Sequence, residues 1–281
     1  DMNDQDITVI ITSFHSGEKI FNCIESINKD VKIIVVENSN DQELKEKIQS
    51  KYKNVDCILS KENLGYGAGN NLGLSKVLTN YALIVNPDVT LENDTIDNFF
   101  LTIKNVKNFG IIAPISKDEI YTNFSIDSDK NLKEVESVKG FAMFLSMNNL
   151  KEIKFFDENF FLYFEEIDLC KRIRKNDIKI YIDPSIKVNH LGGTSHNSEI
   201  NKTMELSRNW HWMWSSFYYH KKHYGYFNAL FKISPKLLSS LIKFIFYLLI
   251  FQKFKSDIYK HRVFGIINSV LLKKSWYRPR I

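Results

Sequence analysis

The sequence has few of the residues that build disulfide-rich or zinc-binding folds. Its 281 residues include three cysteines, Cys23, Cys57 and Cys170, which form no Cys-x-x-Cys pair. This argues against a disulfide framework and a structural zinc site, so we expect three reduced thiols in a cytosolic protein. Eleven glycines and five prolines, with 44% hydrophobic and 25% charged residues, exclude collagen-like and disordered chains.

A hydrophobic run long enough to cross a membrane is also missing. The longest run, residues 237–251, is interrupted by Lys243. As a helix of 15 residues it reaches about 22 Å, which is less than the ~30 Å hydrocarbon core of a bilayer. The first residues are polar and acidic and lack the pattern of a secretory signal. We therefore expect no spanning helix and a cytoplasmic location.

Acidic residues are nearly absent from the C-terminal part. Residues 202–281 contain 15 Lys and Arg but only two acidic residues, Glu205 and Asp257, whereas the preceding residues carry a net charge of −8. All four tryptophans and half of the aromatic residues lie in the same stretch. This asymmetry indicates two regions with different partners. We predict a body over residues 1–205 and a basic, aromatic, helical region over 206–281.

Short apolar strands alternate with amphipathic helices in the first part of the chain. Strands are predicted at 7–12, 31–36, 55–59 and 81–85, and helices at 20–27, 44–52 and 71–78. The alternation predicts an α/β fold whose mostly parallel sheet is covered by helices on both faces. Ligands bind such sheets beyond the carboxyl ends of the strands, here the polar loops at 12–17, 37–41 and 86–88.

Two carboxylates directly follow predicted strands. Glu37 and Asp88 stand where a side chain can accept a hydrogen bond from a base or ribose, or ligate a divalent cation. An ordinary Asx turn explains Asn86-Pro87-Asp88 equally well. The glycine-rich segment at 63–73 can approach a phosphate through its backbone, or serve as a flexible connection. It has neither the P-loop signature nor the strand that precedes a Rossmann fingerprint.

Three acids, Glu165, Glu166 and Asp168, follow a dense aromatic segment. Carboxyl groups beside apolar rings can have a raised pKa and act as general bases, but acids at a helix start also complement the helix dipole. Arg172 follows on the same predicted helix and either meets a phosphate or faces solvent. A further strand is predicted at 178–182 and is expected to stop at Asp183-Pro184. His190, in the predicted glycine-rich loop that follows, is either a metal ligand or a plain loop residue.

Taken in order, these segments resemble family 2 glycosyltransferases of the GT-A fold, most of all the bacterial branch that includes rhamnosyltransferases. The resemblance covers residues 7–225, and no single segment of it is specific. It rests on residues 10–14, 34–39, 63–73, 83–88, 139–143, 155–158, 160–172 and His190.

The resemblance implies an inverting transfer of one sugar from a nucleotide diphosphate sugar, dTDP-rhamnose or a UDP-sugar, to a saccharide acceptor. A lipid-linked acceptor in surface polysaccharide biosynthesis, built on a polyprenyl diphosphate, would fit membrane contact by the basic C-terminal region. The resemblance also implies that Asp88 holds Mg²⁺ or Mn²⁺ and that His190 completes the metal site. Nucleotide-binding roles are implied for Thr12, Ser13, Glu37, Asn63, Gly65, Asn70 and Asn86.

By the same resemblance, Glu166 is the base that deprotonates the acceptor hydroxyl, with Glu165 or Asp168 as alternatives. Gly140 and Arg172 are expected to line the donor and acceptor pocket.

The chain departs from the family pattern at three positions. Glu37 and Glu166 stand where Asp is usual, and Asn86 replaces the first acid of the metal-binding Asp-x-Asp motif. A non-catalytic module that binds a sugar nucleotide or glycan is therefore the alternative function.

The basic region is expected to form amphipathic helices around 210–218 and 237–248. These helices either lie on an anionic membrane surface, at the inner face of the plasma membrane, or form a helical cap or an oligomer interface. No nucleic-acid recognition motif accompanies the basic residues, so we expect no nucleic acid partner.

Overall fold

The computed structural model describes residues 6–117, 132–190 and 198–279. The chain divides into two compact units, Asp1–Asp157 with Glu166–Gly193, and Glu158–Glu165 with Thr194–Ile281. The strands are β1 (Ile7–Ser13), β2 (Lys32–Glu37), β3 (Val55–Leu59), β4 (Tyr81–Val85), β5 (Val89–Leu91), β6 (Phe109–Ser116), β7 (Lys133–Glu134), β8 (Ala142–Ser146) and β9 (Lys179–His190). The helices are α1 (Lys19–Glu25), α2 (Gln42–Lys51), α3 (Gly65–Leu74), α4 (Thr95–Ile103), α5 (Met147–Lys151), α6 (Glu165–Arg174), α7 (Ser198–Tyr224), α8 (Tyr226–Leu249) and α9 (Lys253–Val270).

The strands form one sheet in the first unit, in the order β3-β2-β1-β4-β8-β6-β9-β5, with β7 paired to β9. The pairs β2–β3, β1–β2, β1–β4 and β6–β9 are parallel, whereas β8 and β5 pair antiparallel to their neighbours. The predicted α/β fold with a mostly parallel sheet is confirmed. The four strands predicted in the first part of the chain are β1 to β4.

The central strands are buried on both faces because helices cover both sides of the sheet. Val9 and Ile11 belong to the core shared with α1, α2 and α4, whereas Ile10 belongs to the core shared with α3, α5 and α6. This period of two is the geometry of a pleated strand. Full burial of each such side chain contributes about 1.5–3 kcal/mol. Continuous apolar runs therefore became inner strands.

Helix α3 begins earlier than predicted, inside the glycine-rich segment. A Cβ atom at Gly69 would lie 2.6 Å from Thr12 Cγ2, and one at Gly73 would lie 2.7 Å from Ile10 Cγ2. The glycines therefore let the helix backbone approach β1 more closely than any other residue allows. The alternative of a flexible connection is wrong, because the tight packing of this helix outweighs the low helix propensity of glycine.

Strand β9 also continues beyond its predicted end. Asp183 and Pro184 indicated a stop, yet the strand runs to His190 because its register with β6 shifts between Asp183 and Lys187. Such an irregularity accommodates a proline within a strand, and the hydrogen-bond ladder between the strands continues beyond it. The predicted loop position of His190 is therefore wrong. It is the last residue of β9 and lies opposite Val89 of β5.

The second unit consists of α7, α8, α9 and the aromatic segment 158–165. The predicted boundary after residue 205 lies within α7, which begins at Ser198. The segment 158–165 packs on α7: the Phe160 ring lies 4.9 Å from that of Tyr218, and Ser215 donates to the carbonyl of Leu162 at 2.8 Å. None of the described helices has the length and apolarity of a membrane-spanning segment.

Helices α7 and α9 meet at Gly265. A Cβ atom there would lie 2.2 Å from the carbonyl oxygen of Trp210, so the Gly265→Ala variant must push the two helices apart. We expect a loss of about 1–3 kcal/mol of stability, read as a lower Tm in thermal unfolding. Ser239→Ala, on the exposed side of α8, is the control. An unchanged Tm for Gly265→Ala contradicts the close contact.

Candidate active site

The carboxyl ends of β1 and β2 bring two predicted nucleotide-binding residues together. Ser13 and Glu37 are register partners, and the N–H of Asn38 donates to the carbonyl of Ser13 at 2.7 Å. Ser13 Oγ is 2.6 Å from Ser16 Oγ, so the loop after β1 folds back on its own strand. The sheet edge therefore brings the first two polar loops together, as the strand pattern predicted.

Glu37 organises the loop that follows β2. Its side chain is fully buried, and Oε1 accepts from the hydroxyl and, at 3.1 Å, the N–H of Ser39. Oε2 accepts from the N–H of Asp41 at 2.7 Å. A carboxylate with several such donors holds a turn firmly. The expected contact with a pyrimidine edge stays a prediction beside this observed role.

Helix α3 is tied to the same edge by polar side chains. Thr12 Oγ1 donates to Asn70 Oδ1 at 2.9 Å, and Asn70 donates in turn to the carbonyl of Tyr66 at 3.0 Å. Asn38, which the sequence analysis missed, donates to the carbonyl of Gly65 at 2.9 Å. Its buried Oδ1 has no hydrogen-bond partner within the described ranges. The signal in the sequence that could have identified Asn38 is its position directly after Glu37, the carboxylate at the end of β2.

The start of α3 explains why Asn63 and Gly65 stand together. Gly65 has a φ of +82°, in the left-handed region that favours glycine. Asn63 Oδ1 accepts from the N–H of Gly65 at 3.0 Å, which fixes the turn before the helix. The pair orients the first N–H groups of α3, which are the donors that a helix offers to an anion.

Gly140 lies against this helix. Its carbonyl accepts a hydrogen bond from the hydroxyl of Tyr66, and a Cβ atom at Gly140 would lie 3.2 Å from that hydroxyl oxygen. The Tyr66 ring also meets the edge of Phe156 at 5.9 Å. Tyr66 is a second residue that the sequence analysis missed, because a tyrosine among glycines carries no pattern of its own.

Asp88 and His190 come together across the β5–β9 pair. Asp88 Oδ1 lies 3.4 Å from His190 Nε2, and the two side chains remain 22% and 18% exposed. The His190 ring stacks on Phe141 at 5.0 Å. The N–H of Asn86 donates to the carbonyl of Phe141 at 2.9 Å, so the turn carrying Asp88 is fixed to the same segment. Residues far apart in the sequence thus form one polar pair.

The pKa of Asp88 is lowered. Burial, the largest single influence, raises it, but the hydrogen bond and charge of His190, the backbone and Lys19 together outweigh burial. The carboxylate is therefore ionised at neutral pH. A carboxylate oxygen and an imidazole nitrogen fit a divalent cation, more closely Mn²⁺ than the oxygen-preferring Mg²⁺. Within the described ranges no cluster of three such groups occurs.

The acid cluster opens α6, directly after a strained turn. Tyr163 and Phe164 have φ values of 69° and 70°, which cost about 1–3 kcal/mol each in a side chain of this size. Their rings pack against Trp212 at 5.2 and 5.3 Å, and this packing holds the turn. Such strain persists only where the surroundings require one conformation.

Glu166 is the second residue of α6. Burial raises its pKa, although hydrogen bonds from its own N–H and that of Ile167 act in the opposite direction. Glu165 is 4% exposed and Asp168 is fully buried. A half-buried carboxylate with a raised pKa has the properties of a general base.

Arg172 has a role that the sequence analysis did not predict. Its Nε donates to Asp168 Oδ2 at 2.8 Å, and its terminal nitrogens donate to the carbonyls of residues 153–155. The next residue, Phe156, exchanges two hydrogen bonds with Asn71 of α3 at 2.9 and 3.0 Å. Asp168 and Arg172 therefore connect α6, the segment 153–156 and α3. The expected roles of Asp168 as an alternative base and of Arg172 as a pocket residue stay predictions.

The Arg172→Lys variant tests this connection. A lysine keeps the charge but cannot donate in the planar fork that reaches Asp168 and three carbonyls at once. We expect a loss of about 1–3 kcal/mol of stability and a lower Tm, because buried acceptors lose their donors. Arg174→Lys is the control, since Arg174 is exposed and pairs with the exposed Glu136. Equal Tm values for both variants contradict the role of Arg172.

Comparison with known sequences relates the chain to a protein family. The model of "Glycosyl transferase family 2" matches residues 8–168, which include Asp88 and Glu166. Low-salt glycan biosynthesis hexosyltransferase Agl10 of Haloferax volcanii is 29% identical to this chain. The alignment covers 62% of this chain and 64% of Agl10. Rhamnosyltransferase WbbL of Escherichia coli is 24% identical to this chain, over an alignment that covers 73% of this chain and 89% of WbbL.

Comparison with solved structures concerns the fold. The structure of mannosyltransferase PcManGT from Pyrobaculum calidifontis, in complex with GDP-Man and Mn²⁺, aligns with this protein. The alignment covers 96% of this chain and 88% of the PcManGT chain. The TM-score is 0.61 and the sequence identity 10%. This likeness confirms the GT-A fold, with helices added at the C-terminal end. With more than half of its residues matched by the family model, the chain belongs to glycosyl transferase family 2.

Proposed function

We propose that this protein is a metal-dependent, inverting glycosyltransferase. It moves one sugar from a nucleotide diphosphate sugar, dTDP-rhamnose or a UDP-sugar, to a saccharide acceptor. The observation that carries the proposal is the Asp88–His190 pair, with an ionised carboxylate 3.4 Å from an imidazole nitrogen. Names of similar proteins, a hexosyltransferase of glycan biosynthesis and a rhamnosyltransferase, support sugar transfer.

In the proposed donor site, Thr12, Ser13 and Glu37 face the nucleoside, and the start of α3 faces the diphosphate. Asp88 and His190 would hold Mg²⁺ or Mn²⁺. The cation would supply positive charge to the departing diphosphate. Oriented N–H groups at the start of α3 add to that stabilisation because they are fixed before the reaction begins.

In the proposed transfer step, the acceptor hydroxyl oxygen bonds to the anomeric carbon as the bond from that carbon to the diphosphate breaks. The hydroxyl proton passes to the carboxylate of Glu166. Attack opposite the leaving group inverts the anomeric centre. Burial suits Glu166 for this role because a raised pKa makes its carboxylate a stronger base at neutral pH.

We place the reaction at the inner face of the plasma membrane, on a lipid-linked saccharide of a surface polysaccharide. The support is the composition of residues 202–281, with 15 basic and two acidic side chains. Such a composition favours an anionic partner.

The experiment that tests the proposal is a donor screen that measures release of nucleoside diphosphate and formation of a glycosylated product. We expect turnover with a dTDP- or UDP-sugar and Mn²⁺, and none after chelation of the metal by EDTA. Donor binding without turnover on any acceptor favours the non-catalytic binding module instead. Full turnover in EDTA contradicts the metal-dependent mechanism.

A further inference from the structure

Helix α8 carries a continuous apolar stripe that faces away from its packing partners. At about 100° per residue, its six members fall within an arc of roughly 60°. Each is between 53% and 84% exposed. We call this set the α8 stripe: Phe227, Phe231, Leu238, Ile242, Ile245 and Leu249.

The opposite side of α8 is already used for packing. Ala229 and Ile233 are buried in a core shared with Phe217 of α7 and Ile266 of α9, and Ser240 is buried on the same side. The stripe is therefore not the core-facing side of an amphipathic helix. A helix that is apolar on two opposite sides has a second apolar environment to meet.

The apolar surface continues into the turn between α8 and α9. Ile250, Phe251 and Phe254 are exposed there, and Phe251 is 93% exposed. Side chains of this size rarely lie open to water in a continuous patch unless the patch binds something.

Lysines far outnumber acidic residues along this surface. No Asp or Glu occurs from residue 206 to residue 256. Lys232 and Lys243 are exposed on one side of α8, and Lys253 and Lys255 follow at the start of α9. Lys236 of α8 is turned to α7, where it donates to Ser216 Oγ at 3.3 Å. Within the described ranges none of these five lysines forms a salt bridge. The surface thus combines exposed apolar side chains with uncompensated positive charge.

An open cleft of about 300 Å³ adjoins the stripe between α7 and α8. It shares Phe231 with the stripe and is also lined by Lys232 and His220. Its remaining lining residues, Tyr224 and Asn228, are polar. A cation beside an apolar ring suits a phosphate headgroup attached to an acyl chain.

We propose that the α8 stripe and its lysines dock the protein on an anionic membrane surface, with α8 lying in the plane of the interface. The stripe enters the boundary between headgroups and acyl chains, and the lysines meet lipid phosphates. A second copy of this chain fits less well. A twofold contact through α8 brings the basic helices of two copies together, and α8 contains no Asp or Glu to offset their charge.

This inference rests on the membrane location in the proposed function, and its test uses the full chain. Co-sedimentation with phosphatidylcholine vesicles, with and without phosphatidylglycerol, measures the bound fraction. We expect binding to the phosphatidylglycerol vesicles, about tenfold weaker for the triple variant Phe231→Ser/Ile242→Ser/Ile245→Ser. The triple variant Lys232→Gln/Lys243→Gln/Lys253→Gln is expected to lose the preference for phosphatidylglycerol. Leu78→Ser, at an exposed leucine of the first unit, is the control.

Absence of vesicle binding by the unaltered chain, or equal binding by the stripe variant, overturns the proposal. So does a concentration-dependent dimer that the stripe variant abolishes, because the stripe is then an interface between copies. Binding of UDP and dTDP with Mn²⁺ is measured on the same samples. If nucleotide binding persists without vesicle binding, the docking inference fails and the transferase proposal stands.

Discussion

The Glu166→Gln variant is expected to transfer sugar about 10²–10⁴-fold more slowly, because the amide cannot accept the proton of the acceptor hydroxyl. Glutamine keeps the size of the side chain and its place in α6, so nucleotide binding is expected to stay unchanged. The kcat of product formation and calorimetric binding of the nucleotide measure the two effects separately. A loss of kcat without a loss of binding identifies a group used in the transition state.

The pH profile adds a second readout for Glu166. Because burial raises its pKa above the ordinary glutamate value of 4.5, protonation removes the base at a higher pH than for an exposed glutamate. We expect kcat to fall as the pH decreases through this raised pKa, and this acidic limb to be absent from the residual activity of Glu166→Gln.

The matched control is Glu152→Gln, which removes an exposed carboxylate in the same unit. If Glu166→Gln has a kcat close to that of Glu152→Gln, Glu166 is not the base. Glu165→Gln then becomes the next variant to measure, because Glu165 is the adjacent acid and Asp168 is paired with Arg172.

The Asp88→Asn variant is expected to lose about 10²-fold or more in metal-dependent nucleotide affinity. Asparagine preserves the shape of the turn but removes the charge that attracts the cation and faces His190. Calorimetry with UDP and dTDP, with and without Mn²⁺, measures this loss and shows which nucleoside binds.

Asp56→Asn is the control for Asp88→Asn, since Asp56 lies on the surface in an exposed pair with Lys32. His190→Ala is expected to weaken the same binding less, because the carboxylate remains. Nucleotide binding that is equal with and without Mn²⁺, and equal in Asp88→Asn and the control, contradicts the metal site.

Sequence reasoning predicted the inner strands β1, β2 and β4 because each is a continuous apolar run that only a sheet covered on both faces can bury. Residues 81–85 are an example, since all five became β4. Sequence reasoning did not predict β6 and β8, which also lie inside the sheet. Glu37, Asp88 and His190 were predicted as site residues because they belong to ordered motifs, and the structure brings Asp88 and His190 together. The ends of helices and strands were harder to predict. The start of α3 depends on packing against Thr12, and the end of β9 depends on its register with β6.

The contacts of Arg172, Tyr66 and Asn38 were missed for a related reason. Each side chain bonds to backbone atoms that are distant in sequence, such as the carbonyls of residues 153–155 or of Gly140. Backbone acceptors leave no residue-specific signature, so a single sequence does not reveal them. Only the folded chain shows that Asp168 pairs with Arg172 and that Arg172 binds the segment 153–155, and their expected roles at the pocket stay predictions.

The bonds from Arg172 to residues 153–155, and from Phe156 to Asn71, have a mechanical consequence. They link α3 and α6 through the segment 153–156, so the helix proposed to face the diphosphate and the helix that carries Glu166 are held together by hydrogen bonds. In the proposed mechanism, these bonds set the spacing between the diphosphate site and Glu166 as the chain folds, before the substrates arrive. A shift of one helix against the other breaks these hydrogen bonds, so the proposed site is organised before it binds its substrates.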